Sequence, residues 1–307
     1  MRLWVTRSAL ALALGFATAT AGMSDSWSRV GYGRLINNDF LGDFKDRDQT
    51  GSYVSSRLYA RSPVSGMPTR AGEVLELRIQ GDLKTPDNLR VPAPGDRPYA
   101  GSLSLGVHTH YEQAGLQISM GAEVVATGPQ TGLDTLQTAL HDGLGVSAPS
   151  ALAKAGQISN GFHPGVIVEL GRDMRLSGRT TLRPFIEGRY GAETLIRAGF
   201  DLTLGAVGRE PLQVRDGITG QRYRTVLNDE NGVSFVLGGD MALVSESIYL
   251  PAANGLSLTD TRDRARMGMH WQGARGHGFF GVTYLGREYR SQDSAQMVGS
   301  IRIGLEF

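Results

Sequence analysis

Three polar stretches of this 307-residue chain carry side chains suited to hydrolysis: Asn37–Phe40, Asp46–Gly51, and a run from Gly128 to His141. Histidine is the side chain best able to take a proton from water near neutral pH. Carboxylate and carbonyl oxygens suit Ca²⁺, which polarises an ester carbonyl. Brought together, these groups would cleave an ester. The alternative is that Asp and Asn here only form turns and that His141 is a surface helix residue.

The elements that would position these residues are β-strands. Apolar and polar side chains alternate in Ser102–His108, Phe200–Ala206, Arg266–Gln272 and Ile301–Phe307. A period of two is typical of half-buried strands, which occur both in soluble sandwiches and in membrane barrels. The last of these strands ends in an aromatic residue. In an exported chain this favours an all-β, antiparallel transmembrane β-barrel.

Export is predicted from the first 21 residues. Arg2 and Arg7 precede a short apolar stretch, Ala9–Ala17, and Ala19–Ala21 has the small residues of a cleavage site. We therefore assign residues 1–21 to a signal peptide and 22–307 to a single barrel domain. The chain has no cysteine, which excludes disulfides and thiolate sites, and its net charge of +1 gives no reason to expect nucleic acid binding.

Twelve strands of barrel length can be counted, and an even number places both termini in the periplasm. The connection at 208–231 then lies on the periplasmic side, although it is long for a periplasmic turn. The predicted strands are 29–38, 50–60, 73–83, 99–112, 116–127, 165–173, 180–190, 193–207, 232–246, 263–272, 278–289 and 296–307.

This direction of the strands brings all three polar stretches to the extracellular rim. Asn38, Asp39 and Thr50 should be neighbours across the first hairpin. Leu133, Leu136, Gln137 and Leu140 have helical spacing. His141 is therefore expected to end a short helix folded over the mouth of the barrel.

The same stretches resemble the outer-membrane lipid A deacylase family, LpxR. Four motifs occur in the family's order and together span most of the chain: N-D-F-x-G at Asn38–Gly42, D-R-D-x-T-G at Asp46–Gly51, G-D-R-P-Y-A-G at Gly95–Gly101, and G-P-x-x-G with Q-x-x-x-H from Gly128 to His141. Gly286–Tyr289 and the final strand also look like the family.

The resemblance implies a twelve-stranded barrel in the outer membrane of a Gram-negative bacterium. It implies Ca²⁺-dependent removal of a 3′-linked acyloxyacyl group from the lipid A of lipopolysaccharide. His141, Asn38 and Thr50 match catalytic residues, and Asp39 is the expected calcium contact. The C-terminal strand would be recognised by the barrel-assembly machinery.

The chain also departs from the family pattern. Gln49 stands where a tyrosine is usual, and residues 147–160 lack the tryptophan and the acidic residue that commonly follow the histidine. Lys84 and Arg90, in the second external loop, are predicted to contact the lipid phosphates, although neither is aligned to a family position.

Two other polar pairs are interpreted structurally. His108 and His110 share one strand face as a possible metal pair, but they continue a polar face, which favours lining of the lumen. Asp96 and Arg97 are interpreted as holding the rim.

Two further functions stay open at this point. The altered stretch after His141 would suit a non-catalytic family member that acts as a structural or surface-binding barrel. An outer-membrane phospholipase would share the barrel and the calcium, but it needs a serine nucleophile beside its histidine, and the sequence shows no convincing H-x-S pattern on a strand.

Overall fold

The computed structural model of the chain describes residues 27–64, 66–207, 212–226 and 230–305. The predicted signal peptide and the terminal Phe307 lie outside these residues. No helix in these ranges is long and apolar enough to cross a membrane.

The alternating segments form strands that pair antiparallel with their neighbours into a closed barrel of twelve. Pairing of β6 with β8 and of β1 with β15 closes the ring, and the short strand β7 extends one edge of β8. The strands are β1 (Ser28–Asn38), β2 (Asp48–Ala60), β3 (Val74–Thr85), β4 (Ala100–Gln113), β5 (Leu116–Thr127), β6 (Gly161–Gly171), β7 (Met174–Ser177), β8 (Thr180–Tyr190), β9 (Glu193–Gly205), β10 (Gln213–Arg215), β11 (Arg222–Arg224), β12 (Gly232–Ser247), β13 (Arg262–Gly273), β14 (Gly276–Leu285) and β15 (Gln296–Leu305).

Burial is the reverse of that in a soluble sandwich. Apolar side chains such as Leu105, Val107 and Met267 are exposed on the outer wall, whereas the polar side chains between them face inward and are buried. A wall of this kind is stable only when lipid covers it. The alternation therefore decides between the two all-β architectures in favour of the membrane barrel, as predicted.

Two helices occupy the long connection between β5 and β6: α1 (Leu133–Leu144) and α2 (Ala151–Ala155). Single 3-10 turns form at Asp39–Leu41, Pro129–Thr131 and Ala252–Asn254. The long connections meet at one end of the barrel, where, for example, Ile158 N donates to Tyr99 O at 2.9 Å. Long loops mark the extracellular end of such barrels.

The long connection after β9 turns inward. Its strands β10 and β11 pair as a hairpin, and the described part of the connection, 212–226, occupies the lumen. Leu212 packs with Leu58 and Val74 near the periplasmic end, whereas Asp216 reaches Asn37 near the outer end, at 3.1 Å. We call 212–226 the luminal hairpin. Its inward course explains how so long a connection fits on the periplasmic side.

Arginine–carboxylate pairs anchor the luminal hairpin to the wall. The Arg215 guanidinium donates to Glu169 on β6 at 2.6 Å and to Asp201 on β9 at 2.8 Å. It also lies 3.6 Å from the centre of the Phe185 ring. Buried charges require partners of opposite charge, and Arg215 finds them on two strands of the wall, so these ion pairs fix the luminal hairpin in the barrel interior.

The seam between β1 and β15 is short. Within the described chain, these strands pair only at Ile36–Ile301, Asn37–Ser300 and Asn38–Gly299. Closer to the periplasm, Tyr32 N on β1 instead donates to Thr225 O of the luminal hairpin at 2.7 Å.

Candidate active site

The first hairpin, β1–β2, brings Asn38 and Thr50 together at the outer end. Asn38 pairs with Gly51, and its Nδ2 donates to the carbonyl of Thr50 at 3.2 Å. The Asn38 Oδ1 accepts from Phe40 N at 2.9 Å and so caps the following 3-10 turn. The Thr50 hydroxyl lies 2.7 Å from that of Thr85. The predicted neighbourhood across the hairpin is therefore present.

Asp39 follows directly and is buried, with 2% of its surface exposed. Its Oδ1 accepts from Phe40 N at 2.8 Å and its Oδ2 from Arg47 N at 3.0 Å. Burial raises the pKa of Asp39 to about 8; the Arg47 amide opposes the rise, and the carboxylates of Asp46 and Asp43 add to it. Among the described residues, no cationic side chain forms an ion pair with the Asp39 carboxyl.

His141 lies in the last turn of α1, where its Nδ1 is 2.8 Å from the carbonyl oxygen of Ser147. A carbonyl only accepts, so this contact assigns the proton of the neutral imidazole to Nδ1. The Nε2 atom is then the basic nitrogen, and it lies 3.3 Å from Oδ2 of Asp46, a contact that becomes a hydrogen bond when a proton is present on either group. The ring is thus oriented as a general base facing a carboxylate.

Asp46 is the functional candidate that sequence reasoning did not select. Its Oδ1 is buried and, among the described residues, has no hydrogen-bond partner. Burial raises the pKa of Asp46, whereas the nearby His141 and the Thr50 hydroxyl lower it. Asp46 connects His141 to the β1–β2 hairpin. The D-R-D motif contained it, but nothing in the spacing distinguished it from Asp48, which binds Arg47 at 3.0 Å.

Gln137 lies one helical turn before His141 and fixes α1 to the barrel. It is buried, and its Oε1 accepts from the Tyr99 hydroxyl at 2.7 Å. Its Nε2 is buried without a partner in the described ranges. Residues four apart share a helix face, so this amide presents an unused donor on the His141 side.

The two predicted phosphate-binding residues differ in exposure. Lys84 is buried; its ammonium donates to Oε1 of Gln49 and lies 3.5 Å from Asp82. Arg90 is exposed and donates to Oγ of Ser147 at 3.1 Å. The carbonyl of the same Ser147 is the partner of His141 Nδ1. Of the two, Arg90 is open to a lipid headgroup, whereas Lys84 lies inside the rim.

The remaining polar pairs have the structural surroundings expected of them. Arg97 donates to Glu288 at 2.7 Å, and the Tyr289 hydroxyl donates to Asp96 at 2.7 Å, so these contacts join two outer loops. Glu288 holds the pKa of Arg97 above its usual range, against the effect of burial. His108 and His110 line the lumen.

The donor chemistry of the site suits a hard cation. The unpartnered Oδ1 of Asp46 and the neighbouring carboxyls of Asp39 and Asp43 are the oxygen ligands that Ca²⁺ prefers. Across the described part of the chain, no three His, Asp or Glu side chains converge into a ready-made metal cage. Backbone carbonyls and water would have to complete the coordination.

Solved structures include chains with a similar fold. LpxR from Salmonella typhimurium superposes with a TM-score of 0.71 at 17% identity, over 88% of this chain and 98% of that one. The NanC porin matches with a TM-score of 0.42 at 8% identity, over 90% of this chain and all of that one. Among curated protein sequences, none matches.

A family model described as "Outer membrane protein LpxR" matches residues 8–307, nearly the whole chain. The twelve-stranded barrel, the order of the four motifs and the structural likeness agree with that match. The chain belongs to the LpxR family of outer membrane proteins.

Proposed function

We propose that this protein is a lipid A deacylase that removes a 3′-linked acyloxyacyl group by direct attack of water. The observation that carries the proposal is the pair formed by His141 and Asp46 at the outer end of the barrel, in which Nε2 is the basic nitrogen of the ring. Lipid A occupies the outer leaflet, so its ester bonds lie at the level of this site.

In the proposed reaction, His141 Nε2 takes a proton from a water molecule whose oxygen attacks the ester carbonyl carbon. The Asp46 carboxylate, 3.3 Å away, stabilises the imidazolium that forms. The tetrahedral intermediate then collapses, and the departing sugar oxygen receives the proton back from the imidazolium. The products are the free acyloxyacyl acid and a 3′-hydroxyl, and no serine intermediate is needed.

Charge on the intermediate's oxyanion needs donors placed in advance. The unused Nε2 of Gln137, on the His141 side of α1, is one such donor. We propose that Asp39 and Asp46 would hold Ca²⁺. When bound, the ion supplies positive charge that, together with the Gln137 amide, stabilises negative charge on the ester oxygen.

The experiment uses the mature protein in detergent with lipid A, with and without Ca²⁺, and identifies products by mass spectrometry. We expect release of a 3′ acyl chain that requires calcium. His141→Ala should abolish it and leave a heat-modifiable barrel, whereas His163→Ala, at another rim position, should retain it.

Unchanged activity in His141→Ala would overturn the mechanism. A folded wild-type barrel that cleaves no lipid at any calcium concentration would favour the non-catalytic alternative suggested by residues 147–160. Release of fatty acid from phospholipids instead would indicate a phospholipase.

A further inference from the structure

Helix α1 carries a stripe of leucines that no other part of the described chain covers. Leu136, Leu140 and Leu144 recur every four residues and are 51%, 54% and 75% exposed. Successive residues of a helix are about 100° apart, so this stripe lies beside the face that carries Gln137 and His141. We call it the leucine stripe.

A second exposed apolar group lies on the β1–β2 connection. The rings of Phe40 and Phe44 pack edge to face, with centroids 5.5 Å apart, and both are exposed. Both follow Asp39 in the sequence, Phe40 directly and Phe44 four residues later. Each of the two elements that supply reactive groups therefore also presents large apolar side chains to the surroundings.

Large apolar side chains gain stability when they leave water, so a surface with this many exposed ones favours an apolar contact. The outer wall continues towards it: Ile36, two residues before Asn38, and Tyr53, paired with Ile36 across the hairpin, are exposed to lipid. On the β1–β2 side, the exposed apolar surface thus continues the barrel's lipid-facing belt.

A cation lies beside the same surface. Arg90 is exposed and is held at Ser147, three residues beyond the end of α1. Apolar side chains next to an exposed guanidinium match a molecule with acyl chains and an anionic headgroup. This combination favours a membrane lipid over a second protein chain as the occupant.

We propose that the leucine stripe and the Phe40–Phe44 pair contact the acyl chains of an outer-leaflet anionic lipid, with Arg90 at its phosphate. One part rests on the proposed function: when the lipid is the substrate, the stripe holds the acyl chain beside His141. The lipid contact itself does not depend on hydrolysis.

The contact can be measured without activity because the chain contains no cysteine. Leu140→Cys is labelled with an environment-sensitive fluorophore, and the protein is reconstituted in phosphatidylethanolamine–phosphatidylglycerol vesicles that carry a nitroxide on the acyl chain or on the headgroup. Thr135→Cys, exposed on another face of α1, is the matched control.

We expect stronger quenching at position 140 than at 135, and more from the acyl-chain nitroxide than from the headgroup nitroxide. Equal quenching at the two positions would overturn the proposal. Energy transfer between labelled copies at position 140, without lipid quenching, would also overturn it, because the stripe would then join two protein chains.

A second experiment tests the link to the substrate. The triple variant Leu136→Ser, Leu140→Ser, Leu144→Ser should raise the KM for vesicle-borne lipid A about tenfold or more, a loss on the order of 1.4 kcal/mol, with little change in kcat. Leu176→Ser, an exposed leucine on β7, is the control.

A wild-type KM in the triple variant would overturn the substrate role and leave the proposed function standing. Absence of hydrolysis in the wild-type protein would remove the proposed function instead, and the quenching result would then decide the lipid contact by itself.

Discussion

The lumen and the candidate active site both contain acidic groups, but these groups differ in how their charge is neutralised. In the lumen, Glu169, Asp201 and Asp240 each face at least two arginines, with contacts such as Arg266–Asp240 at 2.5 Å. At the candidate site, Asp39 is satisfied by backbone amides, and Asp46 lies beside His141 and the Thr50 hydroxyl with its Oδ1 unpartnered among the described residues. A carboxylate that is paired with a fixed cation has a structural role, whereas a carboxylate without such a partner is available to a proton, a metal or a substrate.

The largest effect should follow from breaking the rim pair. At saturating Ca²⁺, we expect Asp46→Asn to lower kcat for lipid A on the order of 10²- to 10⁴-fold because the imidazolium loses its counter-charge and the proposed calcium site loses a carboxylate. The KM and the heat-modifiable mobility should not change. Steady-state kinetics with mass-spectrometric detection measures this.

Asp142→Asn, at an exposed position next to His141, is the control for Asp46 and should keep wild-type kinetics. If the two variants lost activity equally, the contact between His141 and Asp46 would have no special role.

The next effect is on stability and concerns the lumen. Arg215→Met leaves Glu169 and Asp201 each with one arginine fewer, so the free energy of unfolding should fall by about 3 kcal/mol. Urea unfolding in detergent micelles, followed by the heat-modifiable shift, measures the change. Activity per folded molecule should stay the same. A large loss of activity in the folded fraction would show that the two regions are coupled.

A smaller effect is expected from crowding the luminal hairpin. A Cβ on Gly33 would lie 2.8 Å from both Tyr223 and Thr225, whereas one on Gly188 would meet nothing within 4 Å. Gly33→Val should therefore cost about 1–3 kcal/mol and loosen the hairpin. Planar-bilayer recordings should show ion conductance in Gly33→Val and none in Gly188→Val or the wild type. A conducting wild-type barrel would show that the luminal hairpin leaves a path for ions through the lumen.

The smallest effect should come from a solvent-exposed ion pair. Arg290 and Asp260 are 2.6 Å apart, with side chains 62% and 84% exposed, and such pairs contribute about 0–1 kcal/mol. Arg290→Ala should leave the unfolding midpoint within error of the wild type. A loss comparable with that of Arg215→Met would mean that burial does not govern the cost of breaking these pairs.

The strands were predictable because a barrel wall must alternate between lipid and lumen, as Leu105, His108 and Met267 illustrate. The same rule applied to β3 would have placed Lys84 beside Asp82 inside the barrel, since residues two apart share a face. Neighbourhood across the first hairpin was likewise predictable from local pairing.

The luminal hairpin and Asp46 were not predictable in this way. Residues 212–226 show no long alternation, and their position depends on Glu169 and Asp201, which lie far away in the sequence. Asp46 became distinct from Asp48 only when the fold of α1 brought His141 to it. Contacts between residues that are far apart in the sequence produce no periodic pattern from which they could be predicted.

The short seam between β1 and β15 bears on how the molecule is assembled. Three residue pairs join these strands at the outer end, and nearer the periplasm Thr225 of the luminal hairpin takes the hydrogen bond of Tyr32. The first strand therefore contacts the last strand directly at the outer end and contacts the luminal hairpin nearer the periplasm. A chain in which the hairpin had not docked would leave the Tyr32 amide without its partner at this seam and would separate Arg215 from Glu169 and Asp201.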